Sequence, residues 1–234
     1  MNTLAIDVET YCELDIKTVG AYRYCTHPSF HIMLFAYAFD DEKISIVDFM
    51  NNNEILPERV IDALNNPSII KTAFNANFER NAIKHDKEVY QASRMHHIPC
   101  PPEQWQCTMI KALTMGLPGS LDMVGKAMHL EDDKQKMKEG KALIQYFCKP
   151  CKPTKANGMR TRNLPEHAPE KWELFKNYCK QDVDVERDIR NKLSKYVTTD
   201  KEQRLWELDQ CINDRGVGVD LTFIEKAIEC DAVY

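Results

Sequence analysis

The chain has 234 residues and a mass of 27.2 kDa, room for one large domain or for one domain and part of another. Hydrophobic residues at 43% and charged residues at 29% suit a folded chain with a sizeable core, and no apolar run approaches the roughly 18–20 residues that span a bilayer. The formal charge is −5, and the nine cysteines follow an N-terminus with no basic segment before an apolar one, so no secretory signal or disulfide scaffold is expected and the thiols are expected free in a reducing cytoplasm.

Thr3 to Val8 is short, apolar and bounded by polar residues, as a central strand should be. Ile32 to Phe39 and Ile44 to Phe49 read as two further strands, with Asp40 to Lys43 as the hairpin turn between them. Pro57 is expected to begin a helix to about Leu64, because proline is tolerated in a first turn. Ser68 to Phe74 reads as a fourth strand and Asn75 to His85 as a helix. A loop follows at Pro99, Pro101 and Pro102. Trp105 to Met115 reads as a short strand or turn feeding a helix, stopped by Gly116 to Ser120. Ser120 is placed to cap a helix from Leu121 to Met128. Lys138 to Cys148 is expected to be helical, Lys149 to Pro169 a long surface loop, and Pro169 to Tyr196 the longest helix. Thr199 and Asp200 are placed to cap a helix to about Ile212, and Gly216 to Asp220 reads as a turn and short strand. An amphipathic pattern of Leu221, Ile224, Ala227 and Ile228 ends the chain. Strands come first and helices accumulate later, which favours a mixed sheet with helices packed on it over a strictly alternating doubly wound fold. Trp105, Trp172 and Trp206 sit in apolar patterns and are expected in the core.

Charge is unevenly distributed. Between Lys134 and Arg162 nine basic residues face a single acid, Glu139, a net +8 that leaves −13 on the remainder. A basic segment on an acidic body suits an enzyme that holds a polyanion near carboxylates; a solvated lysine-rich loop is the plainer alternative.

Three constellations can carry chemistry. Asp7-x-Glu9 ends the first strand, where residues i and i+2 share a face. Two carboxylates so close repel unless a cation lies between them, and their hard oxygens suit Mg²⁺ or Mn²⁺. Tyr178 and Asp182, four residues apart, share one face of the long helix. Asp184, Glu186 and Asp188 beside them are expected to be solvated. Asn75-Ala76-Asn77-Phe78-Glu79 follows the fourth strand, where Asn75 would otherwise serve as an ordinary helix cap.

Taken together, Ile6-Asp7-Val8-Glu9-Thr10, Asn75-x-x-x-Glu79 and Tyr178-x-x-x-Asp182 resemble the three motifs of the DEDD superfamily of 3′–5′ exonucleases. The tyrosine marks the Tyr subtype, and the closest likeness is to the proofreading domain of phage-type family A (polymerase I-like) DNA polymerases. The likeness runs from Thr3 to Tyr196, and Leu205 to Val217 looks like the segment leading into a polymerase domain. It implies a ribonuclease H-like mixed β-sheet flanked by α-helices, an exonuclease domain over 1–197, and a linker with the start of a truncated polymerase-like region over 198–234. One position departs from the pattern: the family usually has Asp where Glu79 stands.

The resemblance implies hydrolysis of single-stranded or frayed DNA 3′ ends to nucleoside 5′-monophosphates with two Mg²⁺ or Mn²⁺ ions held by Asp7, Glu9, Glu79 and Asp182. Asp7 would bridge the ions, Glu9 and Asp182 would complete one site, and Glu79 would act on the other at longer range or through water. Tyr178 would orient the attacking water, since a phenol with a pKa near ~10 is a poor base at neutral pH. Thr10 and Asn75 are the expected contacts to the terminal nucleotide. Phe78 is a candidate to stack on a base, with a core role as its plainer alternative. Lys141 and Arg160 are the expected phosphate contacts. A polymerase domain, in cis or in trans, is the implied partner, with no membrane and a bacterial host cytoplasm as the setting. An RNA 3′ exonuclease and a catalytically silent domain that binds DNA or braces a polymerase are the competing readings. Cys148-x-x-Cys151, even with His96, His97 and Cys100, is a weak zinc signal.

Overall fold

The computed structural model describes residues 2–51, 54–94, 96–130, 137–196 and 199–233, with the backbone alone at 137 and 138. Its centre is a five-stranded mixed sheet of β1 (Thr3–Tyr11), β2 (His31–Phe39), β3 (Ser45–Asp48), β4 (Ile70–Ala73) and β5 (Trp105–Cys107), in the order β3-β2-β1-β4-β5. β2 runs antiparallel to β1 and β3, and β4 runs parallel to β1 and β5. Helices cover both faces, which is the ribonuclease H-like arrangement expected from the sequence.

Alternation along β1 assigns its side chains to two layers. Leu4, Ile6 and Val8 enter a core with α1 (Ile16–Cys25), α2 (Glu58–Asn65) and α3 (Ala76–His85). Ala5 and Tyr11 enter a second core with α7 (Met137–Phe147) and α8 (Pro169–Leu193). Asp7 and Glu9 therefore point at the α7–α8 layer. A register shift between Glu9 and Thr10 puts a bulge in β2, and Met33 and Leu34 consequently both join the α7–α8 core. β2 is buried along nearly its whole length, as its unbroken apolar run requires.

α8 is held along 25 residues. Trp172, Phe175, Cys179 and Val183 pack beneath β1 and β2, and Val185, Ile189 and Leu193 pack against α5 (Thr108–Thr114) and α6 (Leu121–Ala127). Each fully buried aromatic contributes roughly 1.5–3 kcal/mol, and Trp172 also donates its indole N–H to Asp48 Oδ2 at 2.7 Å. All three tryptophans are buried and all nine cysteines are free thiols, as expected. No helix among the described residues is long and apolar enough to cross a membrane.

Several local expectations change. Pro57 is the residue before the helix, not in its first turn. Helices α1 and α4 (Lys87–Ala92) were not anticipated: α1 is broken at Gly20, whose φ of +77° ends the regular pattern, and α4 is only six residues. The 149–169 segment is a loop as expected, but it contains two short 3₁₀ turns, Lys155–Asn157 and Pro165–His167. Thr199 precedes α9 (Asp200–Arg215) without a side-chain cap bond. The short strand expected within Gly216 to Asp220 is absent among the described residues; the segment is irregular and leads to Asp220, which caps α10 (Leu221–Asp231) through Phe223 N at 3.0 Å.

Candidate metal centre

β1 and α8 build the site. β1 projects Asp7 and Glu9 from one face, and α8 crosses beneath with Tyr178 and Asp182 one turn apart. Oxygens from Asp7, Glu9 and Asp182 all lie within 4.8 Å of one another. Among the described residues this is the one group of three or more His, Cys, Asp or Glu side chains close enough to share a metal ion, so Cys148, Cys151, Cys100 and the histidines do not assemble a zinc site.

The electrostatics of the group are unfavourable as it stands. Burial pushes the Asp7 and Glu9 carboxyls well above the ordinary range, and the charge of Asp182 adds to both. Burial pushes Asp182 up to about 7, opposed by a hydrogen bond from the Tyr178 hydroxyl. The Tyr178 phenol is itself pushed up by burial and by the charges of Asp182, Glu9 and Asp7. It is therefore a donor at neutral pH and not a base. Glu79, on the first turn of α3, is buried beside this group but outside the close cluster; burial and the charge of Glu186 push it up to about 8.

These side chains suit a hard divalent cation. Among the described residues no lysine or arginine pairs with Asp7, Glu9, Glu79 or Asp182, and Asp182 Oδ1 and Glu79 Oε2 are buried with no hydrogen-bond partner. An orphaned buried carboxylate oxygen costs free energy that a bound cation would recover.

Next to Glu9 a cavity of about 170 Å³ opens beside the C-terminal part of β1, lined by Thr10, Tyr24, Phe78, Ile144, Cys148 and Lys149 among others. Thr10 is buried and its hydroxyl is 3.2 Å from the Tyr24 hydroxyl. Phe78 is half-buried, with its ring 6.1 Å from that of Tyr24. Asn75 sits at the start of α3, but its side chain makes no cap bond and is exposed.

The basic segment divides. Lys134 and Lys136 lie outside the described residues, as does the side chain of Lys138. Lys141, Lys152 and Lys155 are exposed. Arg160 is turned into its own loop, with Nε donating to Asn163 Oδ1 at 2.8 Å and Nη1 to Asn157 O at 3.1 Å. Arg162 lies over the Tyr11 ring at 3.8 Å and reaches His31 Nε2 at 2.6 Å. Glu186 corrects the expectation of a solvated acid: it is 3% exposed, accepts from Thr108 Oγ1 at 2.5 Å and pairs with Arg190 at 3.5 Å, because this turn of α8 faces the start of α5 and not solvent.

Sequence reasoning missed three neighbours of the site. Cys148 and Cys179 each contact a carboxylate of the cluster, and Gly140 of α7 lies against the ring of Tyr178. The one available signal was Cys179 standing beside Tyr178 inside the third motif.

No protein-family model matches the chain. Over all 234 residues it is 51% identical to a protein named DNA polymerase from Bacillus phage SP02. The chain spans about a third of that relative's length (34%), so the similarity is to a part of a phage DNA polymerase.

Proposed function

We propose that the chain is the 3′–5′ exonuclease unit of a phage-type DNA polymerase, removing nucleotides from single-stranded or frayed DNA 3′ ends. The observation that carries this reading is the unneutralised cluster of Asp7, Glu9 and Asp182, with an orphaned oxygen on Asp182 and another on nearby Glu79. Likeness to part of a phage DNA polymerase supports the DNA context.

In this reading Asp7, Glu9 and Asp182 hold Mg²⁺ or Mn²⁺, and Glu79 acts on a second ion from further out. Two such ions, when bound, would neutralise the phosphodiester and lower the pKa of the attacking water. The Tyr178 hydroxyl, anchored on Asp182, orients that water toward phosphorus. The water oxygen bonds to phosphorus, the bond to the 3′ oxygen breaks, and a nucleoside 5′-monophosphate leaves. The cavity beside Glu9 takes the terminal nucleotide, with Phe78 available to stack on the base and Lys149 at the rim. Asn75, exposed at the start of α3, is a further contact to that nucleotide. Lys141 guides the strand through its phosphates. A polymerase domain is the proposed partner.

The test is a 5′-labelled single-stranded DNA incubated with the protein, with and without Mg²⁺ or Mn²⁺. A metal-dependent ladder shortening from the 3′ end, absent in Asp7→Ala, is the expected result. No shortening by folded protein that still binds the DNA would overturn hydrolysis and leave a binding or bracing role.

A further inference from the structure

The two β1 carboxylates carry a layer of contacts beyond the cluster itself. Cys148 Sγ lies 3.6 Å from Glu9 Oε2, and Cys179 Sγ lies 3.5 Å from Asp7 Oδ2 and 3.8 Å from Asp7 O. The thiols come from different elements: Cys148 follows the last residue of α7, and Cys179 lies within α8. Both are buried, and each makes the only side-chain hydrogen bond to its carboxylate among the described residues. Neither sulfur belongs to the set of atoms close enough to share one ion, and a soft sulfur suits hard Mg²⁺ or Mn²⁺ less well than a carboxylate oxygen does.

We propose that Cys148 and Cys179 are positioning residues for the metal centre: their S–H groups each tie one oxygen of Glu9 and Asp7 and so present the other oxygen to the cation. This rests on the metal-dependent reading above. A thiol is a weak donor, but a ligand carboxylate free to rotate pays ordering entropy each time it binds, and groups that orient ligands typically govern 10–100-fold in metal affinity. Two flanking helices thereby set the aim of two ligands on one strand. A small apolar side chain would fill the same space without that bond, which separates orientation from packing.

The experiment is a titration of the intact chain with Mn²⁺, reading free aqueous Mn²⁺ by electron paramagnetic resonance without DNA or turnover. Alanine and serine at each position leave nearly the same space and differ in the hydroxyl. Cys148→Ala and Cys179→Ala are expected to weaken Mn²⁺ binding about tenfold each, and Cys148→Ser and Cys179→Ser to recover most of that loss. If an alanine variant does not fold, Cys→Val against Cys→Thr gives the same comparison at larger volume. Equal affinities within each pair, whether reduced or unchanged, would overturn the positioning role. Asp7→Asn is the control for the centre: if the wild-type chain binds Mn²⁺ no better than this variant, the metal reading itself falls, and the positioning role with it.

Discussion

Gly140 lies directly on the ring of Tyr178. A Cβ placed on this glycine would stand 2.6 Å from Cδ2 and 2.8 Å from Cζ of the tyrosine, and closer still to Cε2. The ring has little room to retreat: it stacks on Phe175 with centroids 6.3 Å apart, and Phe175 stacks on Phe147 at 5.5 Å. Bare backbone in α7 is thus what lets the phenol reach Asp182. Alanine is intrinsically the better helix former by about 1 kcal/mol. Gly140→Ala should therefore displace the Tyr178 hydroxyl, at an overpacking cost of about 1–3 kcal/mol that the helix-propensity gain offsets in part. A misplacement of that kind costs about 100-fold in turnover. The expected pattern in steady-state kinetics is a fall in kcat like that of Tyr178→Phe, with KM for DNA little changed. The double variant should be no worse than Tyr178→Phe alone. Losses that multiply would place the glycine's effect elsewhere.

The carboxyl cluster sets a pH dependence for the metal-free protein. Glu79 is raised from 4.5 to about 8 and Asp182 from 3.8 to about 7, with Asp7 and Glu9 raised in the same direction, mainly by burial. The folded chain keeps these protons to higher pH than the unfolded chain does, so unfolding releases protons. Stability is full below the ordinary carboxyl range, where both states are protonated, and falls as pH rises through the window from about 4 to about 8. Urea unfolding in the presence of a chelator should show this decline, and Glu79→Gln should flatten its upper part. At pH 8 Glu79→Gln should be more stable than wild type by a few kcal/mol, on the order of the linkage term. Added Mn²⁺ should raise the wild-type Tm at pH 8 and do little at pH 5.

Much of this centre is legible in the sequence because its parts are local. Asp7 and Glu9 need only a strand to share a face, and Tyr178 and Asp182 need only a helix. The sheet strands show as short apolar runs with polar ends. What sequence spacing cannot carry is contact across elements. Gly140 meets Tyr178, Cys148 meets Glu9, and Glu186 turns inward to Thr108, all at separations that no periodicity encodes. Helix α1 carries little sequence signal for a different reason: Gly20 interrupts it, and among its ten residues only Tyr24 and Cys25 are buried.

The basic segment makes two different predictions for two residues that sequence alone treats alike. Lys141 is exposed, whereas the Arg160 guanidinium is engaged by Asn163 and Asn157 within its own loop. Lys141→Ala should weaken single-stranded DNA binding for all sequences and lower the slope of log K against log salt by about 0.7. Arg160→Ala should leave that slope nearly unchanged and instead lower the Tm, because the Asn163 acceptor loses its partner. Fluorescence anisotropy at several salt concentrations, with melting curves alongside, separates the two.

Helices α9 and α10 differ in how they are attached to the body. Arg80 is 1% exposed; it donates to Cys100 O at 3.0 Å, to Gln210 Oε1 at 2.9 Å and to Asp214 Oδ2 at 2.8 Å. Gln203 of α9 donates to Trp105 O at 3.0 Å, and Trp206 is buried in the α1–α3 core. α10 buries no residue, with Phe223 71% and Ile228 64% exposed. Ending the chain after Gly216 should therefore leave the Tm nearly unchanged and reduce self-association, since exposed apolar surface is removed. Ending it before Asp200 should cost more than about 3 kcal/mol, because Trp206 leaves the α1–α3 core and the apolar surface it covers is exposed. Arg80 adjoins Glu79 on α3, so that shorter chain should also lose 3′-end hydrolysis beyond what its lower stability explains. Arg80→Met in the full chain is the matched control. It removes the hydrogen bonds to Gln210 and Asp214 that tie α3 to α9, so the Met variant should lose less than wild type does when α9 is removed, and an equal loss in both backgrounds would assign the role of α9 to Trp206 packing alone.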